Sequence, residues 1–108
     1  MAGPLNGIKL VEFAGIGPGP FCGMILADLG AEVIRIDRAS QHGQGNTIDF
    51  QNRSKLSLSA DLKNSKTIAE IKKLLASVDG LIEGFRPGVM ERLGLGPEEC
   101  LKINSNLV

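Results

Sequence analysis

The sequence predicts an α/β fold, a Rossmann-like parallel sheet with flanking helices. Three observations lead there. Short β-rich runs alternate with helix-length stretches along the whole chain. The first unit, residues 8–38, reads strand, glycine-rich turn, apolar helix, strand. Glycine and proline fall at the junctions between runs and seldom inside them.

Each element has its own local reason. Ile8–Phe13 is a β-rich run, punctuated afterwards by Gly15, Gly17, Pro18, Gly19 and Pro20. Pro20 suits the first position of a helix, where its missing N–H is not needed. Phe21–Leu29 follows and is apolar almost all round, which predicts a buried helix. Gly30 is placed to end it in the left-handed conformation. Glu32–Asp37 is the second strand, and about ten helical residues between two strands is the spacing of a right-handed βαβ unit. Ala39–Asn52 is polar, without periodicity, and reads as a loop.

Lys55–Ala60 alternates. Leu56, Leu58 and Ala60 fall on one face and Lys55, Ser57 and Ser59 on the other, which predicts a strand near a sheet edge with its serine face wet. Thr67 and Glu70 fit a capping box. Ile68, Ile71, Leu74, Leu75 and Val78 then recur at helical spacing, with Lys66, Lys72 and Lys73 turned outward. Gly80–Phe85 (GLIEGF) is the next strand. Pro87 and Gly88 open a short helix over Val89–Leu93, stopped by Gly94. Pro97 opens another over Glu98–Ile103, with Glu98 and Glu99 in its first turn, where the helix dipole favours them. Asn104–Asn106 is a turn, and Leu107–Val108 reads as the first step of a further strand.

Composition narrows the function. The 108 residues suffice for one domain, and a chain of this size buries roughly 60–68% of its unfolded surface. Formal net charge is zero, so electrostatics gives no case for nucleic acid or an anionic membrane as partner. Four phenylalanines and no tryptophan or tyrosine argue against stacking platforms for single-stranded nucleic acid. Cys22 and Cys100 lie in different predicted helices with no CxxC or zinc spacing, so they read as free thiols in a cytoplasmic protein. No secretory leader pattern opens the chain. Its apolar runs fall short of the ~20 residues a membrane span needs.

Candidate ligand-binding residues gather at predicted strand ends. The turn Gly15–Pro20 at a helix start is either an anion site built from free backbone N–H groups or a tight turn of purely structural use. It departs from a dinucleotide fingerprint, because Pro20 stands at the third glycine position and the prolines remove donors. Asp37 and Arg38 close the second strand, where an acid can bind a ribose and an arginine a phosphate. The other reading leaves Arg38 solvated and paired with Asp37 or another carboxylate. Arg53, Lys55, Lys63, Arg86 and Arg92 flank strand and helix ends and either form an electropositive rim for phosphates or are solvated. Glu12 and Glu83 lie in strands, as buried paired groups or facing the ligand crevice. His42, the one histidine, sits in a polar loop beside Gly43 and reads as exposed. No Ser/His/Asp or Cys/His set can be assembled.

Three separated motifs, AGIGPGPFCGMILADLGAEVIRIDR, NRSKLSLSADLK and LIEGFRPGVMERLGLGPEEC, occur in an order and spacing that resembles the N-terminal part of the family III CoA-transferases. The likeness covers essentially the whole chain. It is nearest the racemase branch, because Arg35–Arg38 reads Arg-Ile-Asp-Arg where transferases more often read Lys-Ile-Glu. Ala39 and Ser105 stand where the family usually has proline, and Ser40–Asn52 has no clear match.

The resemblance implies the N-terminal part of a large Rossmann-like domain that binds coenzyme A, in a homodimer of interlocked, ring-like subunits. By position, Arg38 matches the arginine used on the adenosine end of CoA. Ala60, Asp61, Leu62 and Lys63 match the segment lining the CoA site, Gly84, Phe85, Arg86 and Arg92 match further contacts, and Ile16 falls in the turn abutting the coenzyme. The implied partner is an acyl-CoA thioester, with no cofactor beyond its CoA moiety, no metal, and neither nucleic acid nor membrane. The implied activity is the interconversion of (R)- and (S)-2-methylacyl-CoA. A histidine and an aspartate on opposite sides of the carbon α to the thioester remove and return the proton through an enolate. In the family that histidine lies in a Gly-His-Asp motif downstream of the position of Val108, and His42 does not match it. Residues 1–108 are thus expected to be a CoA-binding segment without the catalytic pair, inactive alone. The alternatives are CoA transfer between carboxylic acids and a non-catalytic CoA-binding fragment. A nicotinamide-binding domain is a third reading.

Overall fold

The computed structural model describes residues 3–38 and 50–108. Four strands, β1 (Lys9–Phe13), β2 (Glu32–Arg38), β3 (Lys55–Ala60) and β4 (Gly80–Ile82), form one sheet in the order β3-β2-β1-β4. All pairings are parallel. Helix α1 (Pro18–Asp28) links β1 to β2, and α2 (Ser65–Leu75) links β3 to β4. Then come α3 (Val89–Arg92) and α4 (Pro97–Ile103), and a single 3₁₀ turn, Phe50–Asn52, precedes β3.

The predicted sheet and its edge strand are present, and β3 has the predicted bounds. Strand β4 is shorter than GLIEGF, ending at Ile82. The expected first step of a further strand is present at Val108. Val108 donates its N–H to the Asp79 carbonyl (3.2 Å) and accepts from the Leu81 N–H (2.9 Å), which sets it beside Gly80 in a parallel sense.

The two faces of the sheet differ. One buries Val11, Phe13 and Ile36 against Ile71 and Leu75 of α2, Met90 of α3, Leu95, and Cys100 of α4. Asn104 fastens α4 to the end of α2, its side-chain amide donating to the carbonyls of Leu75 (3.1 Å) and Val78 (2.8 Å). The other face buries a smaller cluster, Leu10, Val33, Ala27 and Ala31. Helix α1 lies on that side and closes in a Schellman motif. Gly30 sits at φ 106°, its N–H bonds the Ala27 carbonyl and the Ala31 N–H bonds the Leu26 carbonyl, the pattern that satisfies a helix's last acceptors.

Four expectations fail here, each for a physical reason. Helix α1 is not buried all round. Only Pro20, Gly23 and Ala27 are buried, because small residues let the helix approach the sheet closely, and Phe21 (51% exposed), Ile25 and Leu29 are left on its outer side. It begins at Pro18, so Pro20 is its third residue; a first turn tolerates proline there as well, since its N–H groups have no carbonyl to meet. The capping box is absent. Asn64 caps α2, its Oδ1 accepting from the Lys66 N–H (2.9 Å), and Thr67 lies inside the first turn. In β3 Ser57 and Ser59 are exposed as expected, but the leucine face is not dry and Lys55 is not wet. Leu56 and Leu58 are 56% and 50% exposed, since α2 does not reach over the sheet edge, while the Lys55 side chain is buried at 1% exposure.

Candidate functional site

Strand order decides where a ligand crevice falls. The chain steps from β1 to β2 and β3 on one side and places β4 on the other, so the order reverses at β1, and open parallel sheets bind ligands outside the carboxyl ends of strands at such a reversal. Ile16 follows β1, Arg38 ends β2, Ala60–Lys63 follow from β3, and Gly84–Arg86 follow β4. Two hollows open there. The first, about 470 Å³, has Ile16, Arg38 and Phe85 on its wall together with Glu12, Asp37 and Asn52. The second, about 550 Å³, is bounded by Arg38, Ala60, Asp61, Leu62 and Lys63, with Val89 and Leu93 of α3. Arg38 belongs to both.

Arg38 is exposed and held from beneath by aromatic contact. Its Cζ lies 5.3 Å from the Phe85 ring centroid, within cation–π range. Phe85 in turn leans on buried Phe13, centroids 5.7 Å apart at 55°. The Phe85 N–H donates to Glu83 Oε2 (2.8 Å), which fixes the turn after β4. Among the described residues no carboxylate pairs with Arg38, so the ring orients the guanidinium without neutralising it.

Asp37, the neighbour that pairs with Arg38 in one sequence reading, is taken. It is buried, with Oδ1 accepting from Arg35 Nε (2.8 Å) and Oδ2 from the Ser57 hydroxyl (2.5 Å). Successive strand residues face opposite sides, so Arg35 and Asp37 share one face and Arg38 points to the other. Both Asp37 oxygens accept from neighbours, and the carboxylate still borders the first hollow.

The turn after β3 is shaped by Asp61. Its Oδ1 accepts the Lys63 N–H (3.0 Å) and its carbonyl accepts the Asn64 N–H (3.1 Å), an Asx-type turn that feeds the Asn64 cap. Gly84, Arg86 and Arg92 lie on neither hollow's wall. Arg92 instead folds back, its Nη1 3.2 Å from where a Cβ on Gly88 would be.

The cationic rim is thinner than the sequence suggests. Arg53 turns away to Asp28 at the end of α1, with Nη2 to Oδ2 at 2.6 Å and Nε to Oδ1 at 3.1 Å; this hydrogen bonding holds the Asp28 carboxyl below its usual range and raises Arg53. Lys55 is withdrawn into a buried pair with Glu12. Both readings of Glu12 apply, since it is fully buried and paired and still borders the first hollow. Glu83 is exposed and serves the turn.

The backbone anion site is also reduced. Pro18 and Pro20 have no N–H, and Phe21 donates to the Gly17 carbonyl (3.3 Å). Gly19 is the one first-turn N–H of α1 without a backbone acceptor among the described residues. His42 lies outside the described residues. Among those described, no group of histidine, cysteine or carboxylate side chains has metal-binding geometry, and no helix is long and apolar enough to cross a membrane. Sequence reasoning missed Phe13, Asn52, Val89 and Leu93. Only the i, i+4 apolar pair Val89/Leu93 carried a readable signal.

A parallel sheet ordered 3-2-1-4, with its crevice at the carboxyl ends, defines a Rossmann-like ligand-binding fold. The family model of CoA-transferase family III matches residues 5–108, and the chain belongs to that family. Over 104 residues it is 48% identical to the α-methylacyl-CoA racemase of Mus musculus and 45% identical to that of Homo sapiens, covering 96% of this chain and 26% of each relative. The chain thus spans about a quarter of the length of these relatives. A crystal structure of Rv3272 from Mycobacterium tuberculosis matches with a TM-score of 0.88 at 37% identity, over 99% of this chain and 32% of that one.

Proposed function

We propose that these 108 residues are the coenzyme-cradling segment of an α-methylacyl-CoA racemase-type enzyme, which interconverts (R)- and (S)-2-methylacyl-CoA. The observation that carries this reading is Arg38: a guanidinium that no carboxylate among the described residues neutralises, at the junction of two hollows, at the strand ends where such folds take ligands. The 48% identity to a racemase supports the branch. Arg38 binds a phosphate at the adenosine end of CoA, because a guanidinium matches phosphate oxygens in charge and geometry. Ala60–Lys63 form the wall along the coenzyme. Ile16 and Phe85 supply further contacts from the first hollow's wall, and Gly84, Arg86 and Arg92, outside both hollows, are reached only by a coenzyme that extends beyond them. The partner is an acyl-CoA thioester, no cofactor beyond its CoA moiety is required, and the working form is a cytoplasmic homodimer.

The two proton-transfer groups of a racemase are not supplied by residues 1–108, which hold no Gly-His-Asp motif. The segment binds and does not turn over, and no racemisation is expected from it alone. Titration calorimetry with CoA tests the reading. The chain is expected to bind CoA and not NAD(H). Arg38→Ala is expected to weaken CoA about ten- to hundredfold, the worth of one charge-assisted contact. Unchanged affinity removes Arg38 from the site. In a polypeptide that continues to a Gly-His-Asp motif, exchange of the α-proton of a 2-methylacyl-CoA in deuterated water is expected. Acyl transfer between CoA esters without exchange moves the assignment to the transferase branch.

A further inference from the structure

The buried pair between Glu12 and Lys55 has no part in that reading, yet it sits beneath the first hollow. Lys55 Nζ lies 2.8 Å from Glu12 Oε1. It donates to Glu12 Oε2, to the Pro20 carbonyl and to Asn52 Oδ1, each at 3.1 Å. All three ammonium protons are used. They join β3 to three other places in the chain: strand β1, the first turn of α1 and the 3₁₀ turn before β3. Glu12, Pro20 and Asn52 all border the hollow, and Lys55 does not. Both side chains of the pair are essentially inaccessible to water, at 1% and 0% exposure.

Stability alone does not call for such a pair. Taking two charges out of water is expensive, and apolar residues of the same volume often serve as well or better. What an apolar replacement cannot do is donate to Pro20 and Asn52. The fold also makes room for the pair at a particular place. A Cβ on Gly23 would fall 1.7 Å from Glu12 Oε1 and 3.1 Å from Lys55 Nζ, so α1 carries glycine where the ion pair presses against it.

We propose that Lys55, neutralised by Glu12, is a positioning residue that clamps the Gly15–Pro20 turn and Asn52 to one another and so fixes the wall of the coenzyme hollow. Its effect on coenzyme affinity rests on the CoA reading above. The clamp itself does not.

The test compares the chain with Glu12→Met/Lys55→Met, which removes both charges together and leaves neither side chain with a buried polar group unpaired. Amide ¹⁵N order parameters are read at Gly15, Ile16, Gly17, Gly19 and Asn52, with Val11 and Ile36 as internal references. In the double variant the turn and residue 52 are expected to fall from about 0.85, the rigid value, toward about 0.6, with the references unchanged. CoA affinity is expected to fall about tenfold while the thermal midpoint moves little. A folded double variant with unchanged order at the turn and unchanged affinity overturns the proposal. If the original chain fails to bind CoA, the coenzyme reading falls and the order parameters still decide the clamp. If the double variant does not fold, Asn52→Ala decides, because it deletes one acceptor and keeps the ion pair. Loosening of residues 50–52 in that variant supports the clamp, and unchanged order there overturns it.

Discussion

The two faces of the sheet are built on different principles. Beneath α2, α3 and α4 the contacts are between large apolar side chains, Phe13, Ile36, Ile71, Leu75 and Leu95. Beneath α1 they are between a smaller apolar cluster lower down, Leu10 and Val33 with Ala27 and Ala31, and between charges higher up: Glu12 with Lys55, and Arg35 with Asp37. The first face holds the fold together by removing apolar area from water. The second keeps polar groups at the carboxyl ends of the strands, where the hollows open, and closes each of them with a partner. One sheet thus carries its large apolar core on one side and its buried ion pairs on the other, and Arg38 leaves the end of β2 from the apolar side, stacked on Phe85.

Thiol accessibility gives the largest contrast between the faces. Cys22 on α1 is exposed. Cys100 is buried under the apolar face, with Sγ 3.2 Å from the Leu95 carbonyl, and burial pushes its thiol pKa up. A maleimide is expected to label Cys22 directly and Cys100 only on opening, a rate ratio of about a thousandfold or more for a domain of ordinary stability. Comparable rates at both cysteines, read by mass spectrometry, would erase the distinction between the faces.

Phe13→Ala probes the apolar face. It is expected to lose about 3–5 kcal/mol in urea unfolding, as buried aromatic truncations do, and to weaken the support of Arg38 through Phe85. Gly23→Ala probes the other face, and there two principles oppose each other. Helix propensity favours alanine by about 1 kcal/mol. The new methyl, however, meets a carboxylate that cannot move aside without leaving Lys55, and forced overpacking costs about 1–3 kcal/mol. Net destabilisation is expected, and a rise in the unfolding midpoint would show that the pair is loosely held.

The smallest effect belongs to the solvent-exposed latch. Asp28 is held below its ordinary pKa by hydrogen bonding to Arg53. A carboxyl with a depressed folded pKa adds stability that is present above its unfolded pKa of about 4 and is lost as pH falls through the lower folded value. Asp28→Asn is expected to leave stability near pH 7 almost unchanged and to flatten the acid limb of the curve below about pH 4. An unaltered acid limb means the latch is not formed in solution.

The same contrast explains what the sequence made legible. Alternation of strands and helices, the bounds of β3 and the helical spacing in α2 all follow from apolar periodicity, and that periodicity belongs to the large core. It misled where partners decide burial. Lys55 counts as wet by residue type, and it is dry because Glu12, 43 residues away, completes it. Leu56 and Leu58 count as core, and they are exposed because no helix among the described residues reaches the edge. The apolar run of α1 reads as fully buried, whereas glycine and alanine make its contact. Around the site, strand-end positions were readable from the order of elements. That Arg38 has no carboxylate partner among the described residues was not, since it depends on Asp37 being taken by Arg35 and Ser57. Residues 39–49, with His42 among them, lie outside the described part of the chain.

The stacking of Arg38 on Phe85 has a consequence for kinetics. An aromatic quadrupole orients a cation without cancelling its field, whereas a carboxylate would close that field off within the pair. The field of Arg38 therefore extends into solvent for about a Debye length, ~8 Å at physiological ionic strength, and anions are drawn in before any contact forms. Diluting the buffer salt should quicken capture of a polyanion far more than it slows its escape.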